Sequence, residues 1–188
     1  MNNRVSLETA RLNISTLSVS DISAAYVDGL NDPEVNHYLF DVRLVHQTPQ
    51  SVTAFVEANL ASPTDLFLGL FLKKDNSLFG TLRILGISKI HFSCTLGICI
   101  FKKEYWKAGF GTESISAVVD YLFQELKLHY VEAGAYEENI GSIKMFQKAG
   151  FELIARYPDK FRHIREFKPV VVLRRINPYF DSALLEVF

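Results

Sequence analysis

Between His91 and Leu126 a strand-like segment runs into a two-glycine turn and then into a strongly amphipathic helix. The helix, Gly109 to Leu126, carries Ile115, Val118, Val119, Leu122 and Leu126 at offsets of 3, 4, 7 and 11, one face of a 3.6-residue period. Such a face is stable only when buried, and a strand just before it points to a sheet as the cover. The pattern then returns. Leu128 to Ala135 reads as a strand, and Asn139 to Ala149 as a helix closed by Gly150, a good C-terminal cap.

The rest of the chain fits the same plan. Arg11 to Leu17 alternates like a strand. Ser18 to Asn31 reads as a helix, with Ser18 and Asp21 spaced as a capping box. Thr48-Pro49 opens a second helix whose stripe is Val52, Phe55, Val56 and Leu60. Strand-like segments follow at Leu66 to Lys73, Ser77 to Ile87 and His91 to Phe101, and the last two strands are Phe151 to Tyr157 and Pro169 to Arg174. That order predicts an α/β (α+β) chain with a mixed sheet of about seven strands and helices on both faces. Residues 1–175 are expected to form one domain, with 176–188 as an apolar tail that packs on it or on a second subunit, so a homodimer is one expectation.

Composition excludes several functions. Twenty basic and 21 acidic residues give a net charge of −1, which argues against a nucleic-acid or membrane coat. The longest clean apolar run, Leu66 to Leu72, is far short of the ~20 residues of a spanning helix. The first residues have no apolar signal core, so the expected location is cytoplasmic. Cys94 and Cys99 are five apart, so on one strand they face opposite ways and stay free thiols; two are also too few for a metal site. Aromatic residues reach 13%, and rings such as Phe55 and Phe123 read as core.

Two loops carry the chemistry. Trp106-Lys107-Ala108-Gly109-Phe110-Gly111-Thr112 lies between a strand and a helix start, where free N–H groups and the helix dipole favour an anion such as pyrophosphate. Lys102, Lys103 and Lys107 add positive charge. The segment lacks the third glycine of a dinucleotide fingerprint and the Gly-Lys-Ser/Thr of a P-loop. In Tyr136-Glu137-Glu138-Asn139-Ile140-Gly141-Ser142, Asn139 is a good N-cap and Ser142 falls at the third helical position.

Taken in order, these segments resemble the GNAT acetyltransferase superfamily, and especially its RimJ/RimL-like branch. The matching words are Glu8-Thr9-Ala10-Arg11-Leu12, Asn31-Asp32-Pro33-Glu34-Val35, Leu96-Gly97-Ile98-Cys99-Ile100, Glu104-Tyr105-Trp106, Gly109-Phe110-Gly111-Thr112-Glu113, the Asn139 segment and Lys148-Ala149-Gly150-Phe151, spanning residues 6–157. The resemblance implies a mostly antiparallel twisted sheet with one splayed parallel pair, Thr95 to Phe101 and Leu128 to Ala135, that binds acetyl-coenzyme A as cosubstrate. It implies no metal, no nucleic acid and no membrane.

By the same resemblance, Ile98, Cys99 and Ile100 bind the pantetheine arm and acetyl carbonyl, and residues 106–112 bind the pyrophosphate, with Asn139 and Phe146 beside the cofactor. In that branch the residue at Lys107 is usually glycine. Many relatives protonate the leaving thiolate with a tyrosine at the position of Phe146, which has no hydroxyl; Ser142 is the candidate instead. The usual base position is Thr95, which cannot serve, leaving His91, Glu132 and Tyr136 as candidates. Tyr38, Phe40, Asp41, Arg43, His46 and Tyr136 are expected to wall the acceptor pocket. The implied activity is direct acetyl transfer to a primary amine: an amino-sugar nucleotide, a peptide N-terminus or another small amine. Because Asn36 to His46 holds one acid against one arginine, a polyamine is weakly disfavoured. The alternative is a non-catalytic acyl-coenzyme A-binding module used as a sensor or interaction protein.

Overall fold

The computed structural model describes residues 4–187. Eight strands form one sheet in the order β1-β2-β3-β4-β5-β6-β8-β7. They are β1 (Ser6–Glu8), β2 (Leu12–Thr16), β3 (Leu66–Leu72), β4 (Leu78–Ser88), β5 (Ser93–Ile100), β6 (Tyr130–Tyr136), β7 (Glu152–His163) and β8 (Glu166–Ile176). All neighbours pair antiparallel except β5 and β6, which run parallel. The helices are α1 (Ala24–Asn31), α2 (Phe40–Arg43), α3 (Pro49–Ala61), α4 (Phe110–Gln124) and α5 (Ile140–Lys148). The mixed, mostly antiparallel sheet is as expected; the short β1 is the added strand.

Two cores flank the sheet. On one face α4 and α5 bury Ile115, Val118, Val119, Leu122 and Phe146 against Leu68, Leu70, Leu82 and Leu96. On the other, α1 and α3 bury Tyr26, Val27, Leu30, Val52 and Val56 against Leu17, Phe67 and Phe71. The unbroken apolar run of β3 follows from this. Leu66, Leu68, Leu70 and Leu72 feed the first core, Phe67 and Phe71 the second, so no position is left for a polar side chain.

Three local readings need correction. Ser18 to Asn31 is not one helix. Asp21 accepts from the Ser18 N–H (2.8 Å) and hydroxyl (2.6 Å), which closes a single 3-10 turn, Val19–Asp21; Ser23 then caps α1. On α3, Phe55 is 43% exposed, while Asn59 (4%) takes the buried place, its Nδ2 donating to the Phe55 carbonyl. The last hairpin is longer than expected. Pro158 does not end its strand, because it sits in a register shift between Tyr157 and Phe161 on an edge strand, where a missing N–H costs no ladder bond.

Past β8 the tail crosses the start of β6. Asn177 donates its N–H to the His129 carbonyl and its Nδ2 to the Leu128 carbonyl, and Phe180 packs on Phe92 and His129. Among the described residues, no helix is long and apolar enough to cross a membrane, and no group of three or more His, Cys, Asp or Glu could hold a metal ion.

Candidate active site

The parallel pair comes apart. β5 and β6 pair only from Ser93/Tyr130 to Thr95/Glu132. Beyond that rung each stays bonded to its outer neighbour, β5 to β4 as far as Ile100 and β6 to β8 as far as Tyr136. The register says which groups face the gap. The Phe101 N–H donates to the Phe79 carbonyl across the ladder, so by alternation the backbone groups of residues 99 and 97 also face β4. Those of Ile98 and Ile100 face the gap. On the other side Glu137 N–H donates to the Pro169 carbonyl, which turns the Gly134 and Tyr136 groups toward the same gap. The wedge thus displays amides with no strand opposite them.

A cleft of about 740 Å³ runs through this wedge. At one pole it meets the N-termini of α4 and α5. Gly109 (φ 83°) is the N-cap of α4, and Lys107 (φ 60°) is also left-handed, a conformation that glycine adopts without steric cost. At α5 the Asn139 side chain accepts the Ser142 N–H at 3.1 Å, leaving the Ser142 hydroxyl with no hydrogen bond among the described residues. Trp106 forms one wall, its Nε1 donating to the Ile100 carbonyl (2.8 Å), so of the Ile100 groups only the N–H is open. Lys107, Lys144 and Lys148 line this pole. Lys102 does not line it. Lys103 is held by Asp32 and Glu34, both at 2.7 Å, whose hydrogen bonds keep its ammonium above the usual lysine range. The two lysines of α5 were not singled out in the sequence, although their spacing of four puts them on one helix face.

The other pole is aromatic. Val35, Tyr38, Leu39, Tyr136 and Phe161 line it, with Tyr38 and Phe161 rings 5.7 and 5.8 Å from that of Tyr136. Burial first, then the Asp41 charge, pushes the Tyr136 phenol above its usual range; it stays protonated at neutral pH and donates to the Arg162 carbonyl (3.1 Å). Glu34 is the sole carboxylate lining the cleft among the described residues, and Lys103 occupies it. Phe161 lies past Tyr157, where the sequence expectation ends the strand; the alternation Phe161-Arg162-His163 is the signal that extends it.

Several expected residues lie outside the cleft. His91 is not on β5: it sits in the preceding turn, its N–H donating to Ser88 Oγ. Glu132 is held by Arg174 through Nε (3.0 Å) and Nη2 (2.5 Å) at the last paired rung. Phe40 packs toward His163 at 6.0 Å. The Phe110 ring turns away from the cleft onto Phe79 and Tyr105, so only its backbone stays at the α4 start. The Ala108 side chain is likewise outside, and so are Asp41, Arg43 and His46. Phe146 is 2% exposed and packs edge-to-face with Phe151, giving the cleft a closed floor.

The profile of the acetyltransferase (GNAT) domain matches residues 11–152. The chain belongs to the GNAT acetyltransferase family. It is 32% identical over 140 residues, 73% of this chain and 76% of the relative, to a probable N-acetyltransferase, YjcK, of Bacillus subtilis. In fold it is similar to the ribosomal-protein-S5-alanine acetyltransferase of Vibrio fischeri (TM-score 0.83, 15% identity, 94% and 99% of the two chains). It is similar too to the spermidine N-acetyltransferase of Vibrio cholerae in complex with coenzyme A and spermine (TM-score 0.79, 18% identity, 90% and 97%).

This GNAT domain is therefore an acetyltransferase, and its family uses acetyl-coenzyme A. The cleft fits that group at three points: helix N-termini and lysines at one pole, unpaired strand amides in the middle, an apolar floor beneath. Among the described residues Cys99 is the one thiol that lines the cleft, and so the side chain to weigh there as a thioester acyl carrier. Burial pushes its thiol up to about 12. At pH 8 the thiolate fraction is then about 10⁻⁴, because each unit below the pKa costs tenfold. Cys99→Ala is expected to keep turnover within about twofold, and the native protein to resist iodoacetamide at pH 8 until unfolded. Alkylation of folded protein at the rate of a free thiol would contradict that.

Proposed function

We propose that this protein transfers the acetyl group of acetyl-coenzyme A directly to a primary amine, as a RimJ/RimL-like GNAT enzyme. The observation that carries the reading is the wedge between β5 and β6, whose open Ile98 and Ile100 N–H groups sit between an anion-binding pole and an aromatic pole. Residues 106–112 and the N-termini of α4 and α5 take the pyrophosphate through backbone N–H groups, with Lys107, Lys144 and Lys148 adding charge. Ile98 and Ile100 hold the pantetheine arm. The Ile100 N–H points at the acetyl carbonyl oxygen and stabilises the charge that develops there. The acceptor nitrogen, as the free amine, forms its bond to the acetyl carbon and sheds its surplus proton, the carbon–sulfur bond breaks, and the Ser142 hydroxyl gives its proton to the departing sulfur while taking up the one the nitrogen releases.

The acceptor ammonium must lose a proton first, since an alkyl ammonium has a pKa of about 10.4. Neither His91 nor Glu132 lines the cleft, Glu34 is paired with Lys103, and Tyr136 is protonated. Water in the open cleft takes the proton. The aromatic pole suits a mono-amine on an apolar or planar carrier, such as a peptide N-terminus or an amino sugar. A polyamine, the substrate class named for the Vibrio cholerae relative, would need free carboxylates that this pole does not offer among the described residues.

Thiol release from acetyl-coenzyme A, measured against peptide N-termini, amino sugars and polyamines, tests the reading. Turnover with a mono-amine well above that with spermidine is expected. Tight coenzyme A binding with no turnover on any acceptor would overturn it in favour of a binding module.

A further inference from the structure

Arg11, in the turn between β1 and β2, touches the α4 start on three sides. Its Nη1 donates to the Ala108 carbonyl (3.1 Å), its Nε donates to Glu113 Oε2 (2.7 Å), and its guanidinium stacks 3.9 Å from the Phe110 ring centroid. Its backbone N–H donates to Glu113 Oε1 (3.0 Å), and the neighbouring Thr9 hydroxyl donates to the same oxygen (2.6 Å). The turn between β1 and β2 is thereby tied to the first turn of α4.

The loop needs an outside support. Lys107 and Gly109 are both left-handed, and Lys107 adopts that form at a steric cost. Among the described residues, the one hydrogen bond to the backbone of Lys107 and Ala108 comes from Arg11. That bond fixes the Ala108 carbonyl on the outer side of the loop. Charge is the second problem. Glu113 puts a carboxylate in the first turn of α4, at the end where an anion is to bind. Burial raises its affinity for a proton, but the hydrogen bonds from Thr9 and Arg11 outweigh that and hold it below the usual carboxylate range, so it is ionised at neutral pH. Left alone it would repel phosphate.

We propose that Arg11 is a positioning residue for the pyrophosphate of coenzyme A: it holds the Ala108 carbonyl out of the cleft so that the loop amides face in, and it cancels the Glu113 charge beside them. The inference rests on the assignment of residues 106–112 to the pyrophosphate. Arg11 itself is half-exposed, and an exposed ion pair is worth little by charge alone. The planar fork, which reaches a carboxylate and a carbonyl at once while stacking on a ring, is what lysine lacks.

The test compares two probes by titration calorimetry: coenzyme A, which carries the pyrophosphate, and S-acetylpantetheine, which carries no phosphate. Arg11→Met is expected to weaken coenzyme A binding about tenfold and to leave S-acetylpantetheine binding within twofold. Arg11→Lys restores the charge but not the fork, so about threefold of the coenzyme A loss should remain. Should Arg11→Met fail to fold, Arg11→Lys carries the same comparison. Equal losses on both probes would mean a merely structural role, and no loss on either would also overturn the proposal. If wild-type protein binds the two probes equally well, the assignment of the loop to pyrophosphate fails instead, whatever Arg11 does.

Discussion

Replacing Gly109 with valine leaves a folded chain that has lost coenzyme A. Gly109 has φ 83° and ψ −4°, the left-handed region, at the N-cap of α4. A β-branched residue there costs on the order of 1–3 kcal/mol, and the loop can relieve that only by leaving the conformation. A Cβ at this position meets nothing closer than Arg11 Nη2 at 3.5 Å, an ordinary contact, so the first damage is to the backbone angles. Once the angles change, the free N–H groups at the α4 start no longer converge on one point. The expected result is at least about a 100-fold rise in the dissociation constant for coenzyme A, equivalent to about 2.7 kcal/mol. The helix survives, because Ile115, Val118, Val119 and Leu122 are fully buried and unaffected. Trp106 is the chain's single tryptophan and a wall of the cleft, so its fluorescence reports the titration without a label. Gly109→Ala, without the second branch, should fall between. Unchanged affinity in a folded Gly109→Val protein would remove the loop from the cofactor site.

Where the sequence was legible, one residue type had one physical use. Gly109 allows a left-handed turn and Asn139 caps a helix, so the starts of α4 and α5, and with them the anion pole, could be placed beforehand. Position on a helical face was less secure. The stripe on α3 had the right period, but Asn59, bonding its own helix at Phe55, went inward and Phe55 stayed out against Phe67 and Arg83. Phe110 shows the converse limit: its backbone belongs to the site while its ring belongs to the core, and a sequence letter does not separate the two. The acceptor pole was hardest to read. Phe161 reaches it from a hairpin arm that continues past Pro158, and Val35 and Leu39 reach it from the segment between α1 and α2. Only the folded sheet brings those segments to Tyr136. Arg11 and Glu113 stand 102 positions apart in the sequence, with no local pattern to join them.

The same kind of separation decides the test of Ser142. Its N–H donates to Asn139 Oδ1 and completes the α5 cap, while its hydroxyl has no hydrogen bond among the described residues and lines the cleft. Ser142→Ala therefore removes the hydroxyl and keeps the cap, so α5 and the cofactor pole should stand unchanged. Asn139→Ala, by contrast, removes the cap and costs about 1 kcal/mol of stability. If Ser142 protonates the leaving sulfur, kcat should fall about 100-fold, the low end of the usual effect for a positioned acid. A thiolate, with a pKa near 8.5, already leaves tolerably well without help. The KM for acetyl-coenzyme A should stay within about twofold, because the hydroxyl acts after binding. Ser142→Thr restores a hydroxyl at the cost of one methyl and should recover part of the rate. The buried Phe146 cannot substitute: its ring is packed on Phe151, and a hydroxyl added by Phe146→Tyr would have to displace that floor to reach the cleft. A Ser142→Ala protein with wild-type kcat would leave water as the proton donor and reduce Ser142 to the N–H that caps its helix.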